Sequence, residues 1–183
     1  MGKKISIDSA TMMNKVFEII EAKNIFNISY NKIDILTHPS SYAHAIIKFK
    51  DGLTNIILHD TTMKIPIYNT LYYGSDKILN SKKLDLKKLN NLNFKKIDTK
   101  KFPLVKIINS LPNEISLFET VIVSANDKLV DFYLNGQIKF DEIQKKLLNI
   151  INSKEFRKFK RIKPKKIENI INLNKYVRLK IKL

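Results

Sequence analysis

Between Met12 and about Phe26 the apolar residues Met12, Val16, Ile19, Ile20 and Phe26 recur near helical spacing, which predicts a helix. Ahead of it, Ile5–Ile7 reads as a short strand. Asp8-Ser9-Ala10-Thr11 reads as a helix-start cluster, because short side-chain oxygens can accept from the free amides of a first turn. Lys32–Leu36 reads as a strand closed by Thr37-His38-Pro39. Ala45–Lys50 and Leu53–Leu58 flank Asp51-Gly52, and an Asp-Gly pair between two β-like runs predicts a hairpin. The segment Ile65–Leu71, around Pro66, closes this mixed first part, residues 1–73. Residues 74–101 are polar and rich in Lys and Asn, the pattern of an extended linker. The period then becomes helical over residues 102–183. Leu104, Ile107, Ile108 and Leu111 form one apolar face that Pro112 ends. Ser116–Leu134 is a long helix stopped by Asn135-Gly136, Phe140–Ile151 follows with Asp141 and Glu142 near its start, and Lys165 to about Asn174 is a last, weaker one. The expected fold is α/β (α+β) with a β-hairpin, followed by an α-helical bundle.

Composition narrows the chemistry. At 183 residues and 44% hydrophobic, the chain can bury a real core and is not a disordered tail. It has no Cys, so disulfide scaffolds, zinc fingers, iron–sulfur clusters and thiol nucleophiles are excluded. A multi-histidine metal site would need His38, His44 and His59 all to converge. No apolar run approaches the roughly 18–20 residues that span a bilayer, and the first residues lack the apolar stretch of a signal peptide. The expectation is a soluble, cytoplasmic protein. The formal charge of +17 would attract nucleic acid or anionic lipid. Its cations are nearly all Lys, however, scattered among Ile, Leu and Asn, with Arg only at 157, 161 and 178. A compositional habit accounts for that pattern without any partner.

The segment from Lys4 to Glu18 is the informative one. On a helix beginning near Ala10, Asn14 and Glu18 are four apart and Lys15 and Glu18 three apart, so the three share a face. Ser9 would stand at the helix mouth, where free amides and the positive end of the dipole favour an anion. A hydroxyl, an amide and an ammonium are the donors a phosphate monoester needs, and Glu18 suits a hard cation or a hydroxyl. The spacing fits equally an N-cap serine, a solvated Lys–Glu pair and an asparagine on a wet face.

The string itself adds to this. Lys-Ile-Ser-Ile-Asp-Ser-Ala-Thr-Met-Met-Asn-Lys-Val-Phe-Glu, residues 4–18, closely resembles the K-x-S-x-D-S-A-T-M-M-N-K-x-x-E stretch of the 1-deoxy-D-xylulose 5-phosphate reductoisomerase family. His38-Pro39-Ser40-Ser41-Tyr42-Ala43-His44 is similar to its H-P-x-S-x-x-H, and Met63-Lys64-Ile65-Pro66-Ile67 to its M-R-x-P-I. Ser124-Ala125-Asn126-Asp127 and the stretch Phe132–Phe140 resemble its N-A-A-N-E and F-L-x-x-x-I-x-F patterns more loosely.

That resemblance implies the activity of an oxidoreductase of non-mevalonate isoprenoid synthesis. Such an enzyme rearranges 1-deoxy-D-xylulose 5-phosphate and reduces it with NADPH to 2-C-methyl-D-erythritol 4-phosphate, using Mn²⁺ or Mg²⁺. Carried over by position, it makes Ser9, Asn14, Lys15 and Glu18 substrate contacts, Lys15 and Glu18 catalytic, and Glu18 a metal ligand. It makes Gly2 and Met63 contacts of NADPH, and Ser41 and His44 supporting residues. It also implies pairing of two copies, in part through the hairpin. Val16 stands where the family usually has glycine, which implies crowding of a turn near substrate. The family's Gly-rich dinucleotide-binding domain and its D-S-E metal carboxylates would precede Met1, which matches an internal methionine of the family. The expectation is therefore a C-terminal portion, inactive alone and completed by an N-terminal half. The alternative is a non-catalytic remnant or a basic module that associates with nucleic acid. An upstream frame carrying G-x-T-G-S-x-G and D-S-E would separate the two.

Overall fold

A computed structural model of the chain describes residues 2–183; Met1, and its match to an internal methionine, lies outside the described residues. The protein is α+β, with eight helices, α1 to α8, and two small antiparallel sheets among the described residues. The chain folds into two compact units. One comprises the residues up to Ile35 together with Asp98–Leu183, and the other comprises Leu36–Ile97. This division differs from the expected boundaries at 73 and 101. The reason lies in the apolar face of the N-terminal helices, which packs against the C-terminal helical part.

In the first unit, α1 (Lys3–Ala10) and α2 (Met13–Phe26) are joined by an elbow at Thr11-Met12. Ile5–Ile7 is thus helical, not a strand. Two isoleucines favour β locally, but Lys4 reaches Asp8 one turn on, and Asp8 is held in the interior from α5, so tertiary contacts override the local preference. The predicted strand at Lys32–Leu36 is also corrected. Tyr30–Lys32 forms a 3₁₀ turn, and only Leu36–Thr37, β1, joins a sheet. Met13, Val16, Ile19 and Ile20 of α2 are buried and pack on a 3₁₀ segment, Pro103–Ser110, that buries Leu104, Val105 and Ile107. The apolar face predicted there is real, but Pro103 opens a tighter helix than expected.

The central helix is α5 (Phe118–Leu134), buried on most of its circumference from Phe118 to Phe132. It packs against α6 (Phe140–Asn152) and α8 (Ile167–Lys180), which bury Ile143, Leu147 and Ile151, and Leu173 and Val177, respectively. Gly136, at φ 71°, supplies the left-handed turn that ends α5 as the Asn-Gly pair predicted. Beside α5, the buried Tyr30 hydroxyl donates to Glu119 Oε1 at 2.9 Å. Burial and that carboxylate together hold the phenol well above its ordinary range. In the unfolded chain the same phenol ionises near pH 10. Its contribution to stability is therefore complete below pH 10 and is lost as the pH rises beyond it. Tyr30→Phe should cost about 1–2 kcal/mol at neutral pH. It should also flatten the fall in unfolding free energy above pH 10; denaturant curves of both forms that stay parallel from pH 8 to 11 would exclude this.

In the second unit, β2 (Ala43–Lys48) and β3 (Thr54–Leu58) form the expected hairpin, with Ile46 opposite Ile56 and Ala45 opposite Ile57. Gly52 takes φ 94° in its turn, and Asp51 Oδ1 accepts from the Leu53 amide at 3.0 Å. α3 (Lys64–Leu71) follows. The expected linker is partly ordered: Asp85 caps the short helix α4 (Leu86–Asn90), and Lys95–Lys96, β4, pairs with β1. The remaining helix of the first unit, α7, spans Lys154–Arg157. Among the described residues no helix is long and apolar enough to cross a membrane.

Candidate functional site

Four of the eight residues singled out by sequence lie on the α1–α2 elbow. Ser9 is not at a helix mouth, as expected, but in the last turn of α1. Its carbonyl accepts from the Met12 amide at 3.2 Å, so the chain turns immediately after it. Thr11 Oγ1 donates back to Ile7 O and Asp8 O, at 3.0 and 3.2 Å. Met12 then adopts φ 61° and ψ 16°, a left-handed conformation that a non-glycine residue takes only when its surroundings impose it. α2 starts at Met13, and the positive end of this helix, with its unpaired first-turn amides, lies at Met13 and Asn14.

Asn14 is half-buried, and its side-chain oxygen is enclosed without a hydrogen-bond partner. Lys15 and Glu18 face solvent, with Lys15 Nζ 2.8 Å from Glu18 Oε2 and 3.1 Å from Oε1. This is the solvated pair that the spacing allowed. Such exposed pairs are worth about 0–1 kcal/mol, so an anion could draw off Lys15 and a cation Glu18 at small cost. Glu18 offers a hard oxygen donor that fits one ligand position of Mg²⁺ or Mn²⁺. Among the described residues no group of three or more His, Asp or Glu side chains could by itself hold a metal ion.

The other four lie elsewhere in the sequence, Gly2 in the first unit and Ser41, His44 and Met63 in the second. Gly2 is exposed at the start of α1, and a Cβ built on it meets nothing within 4 Å, so the local structure does not itself require glycine. Met63 is exposed just before α3, in the second unit. Ser41, also there, adopts φ 49°. His44 stacks on His59 with ring centroids 3.6 Å apart, and its Nε2–H donates to His59 O at 3.0 Å. His59 Nδ1–H donates to Asp60 O at 2.7 Å, while His38 Nε2 lies 2.9 Å from Ala43 O. The three imidazoles are thus engaged with backbone in and beside the hairpin rather than gathered around a common point. Val16, expected to crowd a turn near substrate, is fully buried on the inner face of α2.

Sequence reasoning overlooked the polar network behind the elbow. Asp8, 4% exposed, accepts from Lys4 Nζ at 2.7 Å and from Asn126 Nδ2 at 2.8 Å. Lys4 Nζ also lies 2.9 Å from Asp127 Oδ1, and Asp127 Oδ2 accepts from Arg178 of α8 at 2.9 Å. Burial works against the charge on Lys4, but Asp8 and Asp127 outweigh it and hold the ammonium above its ordinary range. The available signal was polar: Ser124, Asn126 and Asp127 interrupt an otherwise apolar helix pattern.

Comparison with known proteins identifies the family of the chain. The family model described as the DXP reductoisomerase C-terminal domain matches residues 58–180, and that of the 1-deoxy-D-xylulose 5-phosphate reductoisomerase C-terminal domain matches residues 1–26, the elbow included. The 1-deoxy-D-xylulose 5-phosphate reductoisomerase of Pelagibacter ubique is 62% identical over 99% of this chain and 47% of its own length. That of a Sulfurihydrogenibium species is 41% identical over 86% of the chain and 42% of its own. The chain thus spans about half the length of the curated relatives it matches. Among solved structures, a DOX-P reductoisomerase with fosmidomycin and magnesium superposes with TM-score 0.86 and 30% identity over 98% of this chain and 46% of that one. The Zymomonas mobilis reductoisomerase in complex with NADPH gives TM-score 0.81 and 29% identity over 96% of the chain and 45% of that one. A C-terminal reductoisomerase domain covering most of the chain, with the elbow motif matched separately, places this protein in the 1-deoxy-D-xylulose 5-phosphate reductoisomerase family, of which it is a C-terminal portion.

Proposed function

We propose that the chain is the substrate-holding part of a 1-deoxy-D-xylulose 5-phosphate reductoisomerase, working in the cytoplasm, completed by an N-terminal half and paired with a second copy. The observation that supports this reading is the elbow itself, with Ser9 in the last turn of α1 and Asn14 and Lys15 in the first turn of the 14-residue helix α2. Lys15 supplies a mobile ammonium, the α2 amides fixed dipoles, and Ser9 and Asn14 neutral donors, a set suited to a phosphate monoester. Anchoring the phosphate there lets remote binding energy orient the reacting carbons and exclude other conformers. Glu18, one turn from Asn14, would give one carboxylate to a divalent metal, whose Lewis acidity polarises neighbouring oxygens of the substrate. NADPH supplies the hydride; Gly2 and Met63 are assigned to its side of the site, and Ser41 and His44 to a supporting role. The charge of +17 is read as compositional, with binding to DNA weak, non-specific and lost at moderate salt.

The 183 residues contain four glycines, at 2, 52, 74 and 136, and no G-x-G-x-x-G pattern. On their own they are expected to bind no NADPH and to catalyse nothing. Substrate binding should survive. Titrating the chain with 1-deoxy-D-xylulose 5-phosphate should shift the amide resonances of residues 9–15 in NMR spectra, more than those of α6. Shifts spread evenly over the lysine-rich surface, or none, would remove the elbow from the binding site.

A further inference from the structure

The contact between Asp8 and Asn126 joins residues 118 positions apart, both buried, at 2.8 Å. Asn126 gives up something to make it, because its own side-chain oxygen is left enclosed with no partner. Filling a helix interface would not need this; an apolar side chain would pack there without an orphaned acceptor. What the amide does accomplish is to fix one oxygen of Asp8 while Lys4 holds the other at 2.7 Å. Lys4 is in turn tied to Asp127, and Asp127 to Arg178, so one polar network through Asp8 and Asp127 links α1, α5 and α8.

Asp8 is the residue from which the elbow departs. Ser9 follows it directly, and the Asp8 carbonyl accepts from Thr11 Oγ1 at 3.2 Å. Thr11 leads into the left-handed Met12, and Met12 O accepts from the Lys15 amide at 3.2 Å. A chain of bonded or adjacent groups therefore runs from Asn126 to both sides of the elbow.

We propose that Asn126 is a positioning residue: acting through Asp8, it holds the α1–α2 elbow in the geometry that lets Ser9, Asn14 and Lys15 bind phosphate together. This rests on the phosphate-binding reading of the elbow. It gives the helical C-terminal part a role in substrate binding, although its side chains need not touch the ligand.

The test uses Asn126→Ala, Lys4→Met, and the double exchange Asp8→Asn with Asn126→Asp, which restores a donor–acceptor pair with its direction reversed. Two readouts are needed. The first is amide hydrogen exchange of this chain. In Asn126→Ala, residues 11–15 should exchange about tenfold faster while α6 is unchanged, a factor in keeping with one lost buried hydrogen bond. The second is kinetics of the chain fused to the N-terminal portion of the Pelagibacter ubique relative. KM for 1-deoxy-D-xylulose 5-phosphate should rise about tenfold, with kcat within about twofold, and the double exchange should recover most of both effects. A residue that merely stabilises the fold would speed exchange everywhere and lower the active fraction at unchanged KM; that result overturns the proposal, as does unaltered exchange at residues 11–15. If Asn126→Ala does not fold, Lys4→Met carries the same test, since its side chain is 42% exposed and its loss leaves no buried hole. Absence of turnover in the unaltered fusion would count against the functional reading, while the exchange data would still show whether Asn126 holds the elbow.

Discussion

Glu18→Gln in the fused enzyme should reduce metal-dependent turnover by on the order of a hundredfold or more. The change keeps the shape of the side chain and removes its charge. A neutral amide is a poor ligand for a hard divalent cation, and Lys15 loses the carboxylate that holds it at 2.8 Å. Adding metal should not restore activity at ordinary concentrations. Lys15→Ala should act differently, raising KM for the phosphorylated substrate more than it lowers kcat, because on the proposed reading it removes a phosphate contact and leaves the carboxylate of Glu18 in place. Kinetics against metal and against substrate concentration separate the two variants. Glu18→Gln with full activity and unchanged metal dependence would take Glu18 out of the metal site.

Val16→Gly, the exchange to the residue that the family resemblance implies there, should destabilise the protein by about 3 kcal/mol. Val16 is 0% exposed on the inner face of α2, beside Met13, Ile19 and Ile20 in the buried face of that helix. Removing its side chain forfeits roughly 2 kcal/mol of buried apolar surface, and glycine inside a helix costs about 1 kcal/mol more. For a chain of this size the loss corresponds to a fall of about 6–12 °C in Tm. A Tm that holds, or rises, would mean that valine does crowd its site. Thermal unfolding followed by circular dichroism decides between them.

The sequence carried the helices with a clean apolar period and the turns with special backbone. α5 and its Gly136 stop, α6, and the hairpin around Gly52 all stand near their predicted places. It misled where long-range contacts outweigh local preference. Ile5 and Ile7 looked like strand residues, yet they lie in a helix held by the burial of Asp8 against Asn126. The unit boundaries were hidden for the same reason: no local pattern states that α2 packs on residues 103–110. At the candidate site the residue types and spacings were readable, including the Lys15–Glu18 pair. The orientation was not. Placing Ser9 at the end of one helix and Asn14 at the start of the next depends on the left-handed Met12, which no propensity anticipates for methionine.

The central claim is that this chain supplies the substrate-holding half of a reductoisomerase. It is tested most directly by the rate of NADPH oxidation when the chain, fused to the N-terminal portion of its Pelagibacter ubique relative, meets 1-deoxy-D-xylulose 5-phosphate and Mg²⁺. The account predicts oxidation that requires both substrate and metal, none from either half alone, and 2-C-methyl-D-erythritol 4-phosphate as the product. A folded fusion that binds NADPH and metal but leaves the substrate unchanged would contradict it.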